Sequence, residues 1–145
     1  MRDDTPHRLV MTKDIGTEWK RNTSRWARTW LRNMNSKRRV YRPDLKSDDI
    51  LRREIEDKAS NESDLNKMLK DLHLIDAAMA TDRSIVSLDE KARKPFAAVS
   101  DKVGELRNIV WVNPAEEDER PVEWLLEGAP AEEERFLHRY LTQKR

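Results

Sequence analysis

The chain has 145 residues, enough for one domain with an ordinary hydrophobic core and short of what two usually need. Charged residues make up 39% of it and Leu, Ile, Val and Phe supply 30 positions, near the level of roughly one fifth at which chains stay open, yet a net charge of +1 and five tryptophans set it apart from a disordered polymer. The lack of cysteine excludes disulfides, thiolate catalysis and Cys-ligated zinc, and no apolar run approaches the roughly 18 residues of a membrane span, so a cytoplasmic protein without membrane contact or signal peptide is expected.

Leu9-Val10-Met11 is a short apolar run with strand character. After it, Trp19, Trp26, Trp30 and Met34 recur at helical spacing, as do Arg21, Arg25, Arg28 and Arg32 on another face. One helix is therefore expected, with a buried aromatic stripe and an exposed guanidinium stripe, and Lys37, Arg38 and Arg39 extend its positive surface. Residues 1–42 hold 12 Lys and Arg against 4 Asp and Glu, whereas the rest of the chain holds 17 against 24. Such a ridge suits polyanions, because guanidinium forks match phosphate oxygens, although a charge run is as often a solvated face.

Pro43 and the stretch Lys46 to Asp49 break the pattern before a helix near Ile50 to Ile55. Leu65, Met68, Leu69, Leu72, Ile75 and Met79 mark a longer helix, which Asn61 or Ser63 can cap. Ile85-Val86 reads as a second strand, followed after Leu88 by a helix with Phe96, Val99 and Val103 inward. Ile109 to Val112 is a third, stopped by Asn113-Pro114, and Glu116 to Glu119 is an acidic loop. Trp124-Leu125-Leu126 covers a core edge, and Ala131 to Leu141 reads as a terminal helix.

Strands alternating with helices, and apolar without a polar alternate, predict an α/β fold: a three-layer parallel sheet with helices on both faces. Ligands of such sheets bind beyond the carboxyl ends of the strands. Asp89 follows the Ile85-Val86 strand directly, Asp71 is returned to the same edge by the helix that feeds it, and Glu18 lies early in the helix after the first strand. Carboxylates gathered at one edge repel one another and attract a hard divalent cation, Mg2+ or Mn2+, which can activate water against a phosphodiester. Each has a plainer role as well: Asp89 as a helix cap, Asp71 as a solvated helix residue, Glu18 as a partner of Arg21. His7, His73 and His138 are not expected to be ligands.

The segment from Lys70-Asp71 to Ser87-Leu88-Asp89 and Arg93 resembles the second half of a PIN domain, in which an Asp opens an alanine-rich helix, a strand follows, and Thr/Ser-x-Asp comes next. Asp71 precedes Asp89 by 18 residues, as that pattern asks. The strand at Leu9-Val10-Met11 with Glu18 is similar to the family's second strand and the helix behind it. Ile109 to Pro114, with Trp124 and Gly128-Ala129, resembles its closing strand and tail. The resemblance implies a PIN-like domain over residues 1–129 followed by a C-terminal helix or tail over 130–145. It also implies an Mg2+- or Mn2+-dependent endoribonuclease, the toxin of a toxin–antitoxin pair, working as a homodimer and countered by an antitoxin protein. Glu18, Asp71 and Asp89 would hold the metal, Ser87 would assist, and Arg21, Arg25, Arg28 and Arg32 would contact RNA.

The family opens with a strand ending in Asp, and this chain does not; Asp3 and Asp4 have no apolar run before them. The domain is therefore expected to be incomplete at its N-terminus, as a fragment or a chain started at an internal methionine, with a partner-donated strand or a rearranged fold as alternatives, and inactive alone. Two further readings compete: a non-catalytic module that binds RNA or an acidic protein through the Arg21 to Arg32 face, and a helical adaptor.

Overall fold

The computed structural model describes residues 7–22, 24–45 and 49–143, so Asp3, Asp4 and most of the break expected at Lys46 to Asp49 lie outside the described residues. Contacts divide the chain into two compact units, residues 1–46 and residues 47–145. The second unit takes in the C-terminal segment.

The first unit runs β1 (Leu9–Val10), α1 (Lys13–Asn22), α2 (Arg25–Ser36) and β2 (Val40–Tyr41). Thr12 starts α1, its Oγ1 accepting the Ile15 N–H at 3.2 Å. The single Trp and Arg helix expected here is two helices. Ser24 has extended backbone, and its Oγ accepts the Ala27 N–H at 3.1 Å, so a new helix is capped where the periodicity ran on. Helix α2 closes with two reversed bonds, Arg38 N–H to Asn35 O at 3.0 Å and Arg39 N–H to Met34 O at 2.9 Å. This pattern needs a left-handed residue, and Arg38 supplies it at φ 56°, where glycine is usual. The turn sends the chain back beside β1, and β2 pairs with it in parallel, Leu9 opposite Val40 and Val10 opposite Tyr41. Met11 and Met34 are buried.

The second unit runs α3 (Asp49–Lys58), α4 (Glu62–Met79), β3 (Ser84–Val86), α5 (Glu90–Val99), β4 (Val110–Val112), α6 (Pro121–Leu126) and α7 (Leu137–Gln143), with single 3-10 turns at Gly104–Leu106, Glu117–Glu119 and Glu133–Arg135. Asn61 caps α4 as expected, its Oδ1 taking the Asp64 N–H at 2.8 Å. Met68, Leu72 and Ile75 of α4 then face the core, and Phe96, Trp111 and Leu137 meet them from other elements. Strands β3 and β4 pair in parallel across α5, Ile85 opposite Trp111. All three residues of β4 are buried, and Phe136, extended between the last 3-10 turn and α7, bridges Val110 in antiparallel fashion. That extended residue is why the terminal helix begins at Leu137 rather than near Ala131.

The chain is mixed α/β with parallel pairing, as the sequence predicts. Among the described residues its strands, two or three residues long, make two two-stranded sheets, β1 with β2 and β3 with β4, rather than the one sheet expected.

A buried guanidinium ties the second unit together. Arg93 of α5, 4% exposed, donates to Glu119 at 2.9 and 3.1 Å, to Glu90 at 3.0 Å and to the Trp111 carbonyl at 2.9 Å. Its charge lies 4.1 Å from the centre of the Tyr140 ring. Tyr140 in turn donates its hydroxyl to Glu90 Oε2, and Asn113 donates its amide to Glu90 Oε1 at 2.8 Å. Burial pushes the Tyr140 hydroxyl up, and its bond to Glu90 adds to this, carrying it to about 12 from 10.0. For Glu90, burial pulls upward, but the bonds from Tyr140 and Asn113 and the charge of Arg93 outweigh it and hold the carboxyl below its usual range.

The signs follow. Tyr140 contributes stability that is complete below pH 10.0 and lost as pH rises through about 12. Glu90 contributes above the ordinary carboxylate range and loses it on acidification. Urea unfolding of the native chain and of Tyr140→Phe should therefore differ most near neutrality and converge above pH 12; an unchanged difference at alkaline pH contradicts this assignment.

Candidate functional site

The residues expected to form an acidic site divide between the two units. Glu18 lies on α1 of the first, and Asp71, Ser87 and Asp89 belong to the second. Asp71 is on the inner side of α4 and only 4% exposed. It is accompanied by His73, one of whose ring nitrogens comes within 4.8 Å of an Asp71 carboxylate oxygen.

Ser87 continues β3, its N–H bonding the Val112 carbonyl at 3.1 Å, and its Oγ accepts the Asp89 N–H at 3.1 Å. Asp89 is the N-cap of α5, with Oδ1 on the Ala92 N–H at 3.1 Å. The plainer role is thus filled by one carboxylate oxygen. A hard cation needs several oxygen ligands in reach; among the described residues, Asp89 joins no trio of His, Asp or Glu whose ligand atoms lie within 4.8 Å of one another.

The expected basic face is partly rearranged. Arg25, Arg28 and Arg32 are exposed on α2, whereas Arg21 is exposed on α1, severed from them by the new cap at Ser24. Among the described residues, Arg25, Arg28 and Arg32 have no carboxylate partner. The aromatic stripe departs further from expectation. Trp19 and Trp30 are half-buried, with ring centres 6.2 Å apart, but Trp26 is 73% exposed. Trp26 lies nearly parallel to Trp30, at 8° with centres 6.5 Å apart, and leaves most of its indole open to solvent.

Beside this stack α1 and α2 leave an open hollow of about 440 Å³, lined by Trp19, Lys20, Arg28, Leu31, Arg32 and Asn35. Three of these six are cations and none is a carboxylate. Asn35 Oδ1 accepts from Arg42 at 3.1 Å, leaving its NH2 to donate elsewhere. The indole N–H of Trp19 is buried without an acceptor among the described residues. Sequence spacing marked Arg28 and Arg32 but missed Lys20, Leu31 and Asn35, because a hollow between two helices needs the break at Ser24 and the periodicity gave no sign of it.

In comparisons with known proteins, no family model, no curated protein and no solved structure matches this chain, so the likeness to PIN domains stands on the sequence motif alone.

The capping geometry sets a clear expectation for Asp89. Asp89→Ala should lower stability by about 1 kcal/mol in urea unfolding, whereas Asp89→Asn, an equally good cap, should change it little. Equal losses for both variants would mean that the charge, rather than the cap, is what α5 requires.

Proposed function

We propose that this protein binds RNA through its first unit, as a non-catalytic module. The observation that carries the reading is the union, on one helix, of the exposed Trp26 indole with guanidinium groups at Arg25, Arg28 and Arg32 that have no carboxylate partner among the described residues. Guanidinium forks bond phosphate oxygens two at a time and stay charged at any physiological pH. An exposed indole, costly to leave in water, gains by stacking on a base, and every base offers a face to it. An acidic protein would use the charges but has no comparable use for a flat aromatic platform, which favours RNA over the protein partner.

The reading is tested by the salt dependence of binding. A single-stranded RNA should bind the native chain with an affinity that falls linearly with log salt, about 0.7 for each phosphate neutralised. Arg25→Ala and Arg28→Ala should each lower that slope by about one contact, and Trp26→Ala should weaken binding without altering it. Binding insensitive to salt and to both arginines would exclude this function.

A hydrolytic reading has one observation in its favour, the Ser87-Leu88-Asp89 segment at the carboxyl end of a parallel strand, with a buried carboxylate at Asp71 in the same unit. It calls for Mg2+ or Mn2+, and with it for an antitoxin partner and a homodimer. The engaged cap oxygen of Asp89 and its lack of a ligand trio among the described residues rank it second. Incubation of labelled RNA with Mn2+ decides between them: cleavage abolished by Asp71→Asn and by Asp89→Asn would establish the nuclease, and intact RNA that is nonetheless retained on the protein supports the binding module.

A further inference from the structure

The hollow beside the indole stack has a composition that a plain polyanion ridge does not require. Phosphates of a duplex need only cations on an accessible surface, yet here the cations ring a recess with an aromatic wall and an apolar residue, Leu31. We infer that the hollow receives one unstacked nucleotide of a single strand, an inference that rests on the RNA-binding reading and names the form of RNA bound.

Size, charge and chemistry agree. At about 440 Å³ the hollow falls in the range of roughly 300–1,000 Å³ typical of small-ligand sites and is large enough for a nucleoside monophosphate. Lys20, Arg28 and Arg32 place positive charge from both helices at its wall, with no lining carboxylate to neutralise it. A phosphate entering the recess is thus met from two sides. Trp19 contributes aromatic surface to the lining, with its ring centre 6.2 Å from that of Trp30. Asn35 lines the hollow too, and its NH2 group, with no acceptor among the described residues, can donate to the oxygen or nitrogen acceptors that base edges and ribose hydroxyls carry.

Selection for single strands follows from the shape. In a duplex the base faces are covered by their neighbours and the edges are paired, so no base can enter such a recess without being pulled from the stack. In a single strand the base is already accessible. One nucleotide can then occupy the hollow while an adjacent base lies on Trp26, whose exposed face continues the Trp19 and Trp30 aromatic series on the same unit.

The test uses the full chain labelled with 15N at its tryptophan indoles, the Trp19 resonance being assigned with Trp19→Phe. Adenosine 5′-monophosphate should shift that resonance saturably, whereas inorganic phosphate at the same concentration should not. A short single-stranded RNA should bind about tenfold more tightly than the same sequence in a duplex, the two sharing phosphates but not free bases. Arg28→Ala with Arg32→Ala should weaken both the monophosphate and the single strand by about tenfold or more. Should that double variant unfold, Arg28→Lys with Arg32→Lys keeps the charge and loses the forks, and should weaken the monophosphate while sparing duplex binding. Monophosphate no better than phosphate, or strand and duplex bound alike with Trp19 unmoved, overturns the nucleotide hollow and leaves the RNA reading standing. Failure to bind any RNA removes both, and polyglutamate bound as tightly as RNA replaces them with an acidic-protein partner.

Discussion

The second unit is organised by one buried positive charge. Desolvating a guanidinium is costly unless its charge is balanced and its donors are bonded; Arg93 sets its two terminal nitrogens against two carboxylates and a strand carbonyl and lies over an aromatic face, while its Nε has no partner among the described residues. Its partners come from different parts of the chain: Glu90 from its own helix, Trp111 from β4, Glu119 from the 3-10 turn beyond it, and Tyr140 from α7. Each can be placed only if the others are. A three-residue strand pair has little strength of its own, so the sheet of β3 and β4 relies on this network and on the apolar core around Phe96 and Trp111 to stay in register.

The first unit has a different controlling feature, the restart of the helix at Ser24. Without that cap, α1 and α2 would be one rod, and a rod has stripes but no recess. With it, Lys20 at the end of one helix and Arg28 and Arg32 on the next can border the same space. The tight turn through Arg38 then returns the chain to pair β2 with β1, which fixes the two ends of the helical pair.

What could be foreseen from sequence follows the range of the forces involved. Helix α4 was legible because its apolar period, its Asn61 cap and its length all agree, and β4 because an apolar run halted by Asn113-Pro114 leaves few alternatives. The cap at Asp89 was legible for the same local reason. The helix restart was not, since Trp and Arg spacings run unbroken through Ser24 and a single serine is a weak signal within a strong period. Strand β2 is two residues long and owes its existence to β1, about 30 positions earlier. The burial of Arg93 was hidden because a charged helix residue reads as exposed until Glu119, 26 residues on, is brought against it. Trp26 was assigned to a core that its exposure denies it. The acidic residues were expected to share one sheet edge; the strands form two sheets, and Glu18 belongs to one unit while Asp71 and Asp89 belong to the other.

The charge boundary near residue 42 and the unit boundary after residue 46 almost coincide. A net charge of +1 therefore conceals two blocks of opposite sign, one for each unit. Such a molecule behaves as a block zwitterion rather than as a nearly neutral sphere: at low ionic strength, unlike blocks on different copies attract. Its solubility should rise on adding modest salt, and both cation and anion exchangers should retain it near neutral pH.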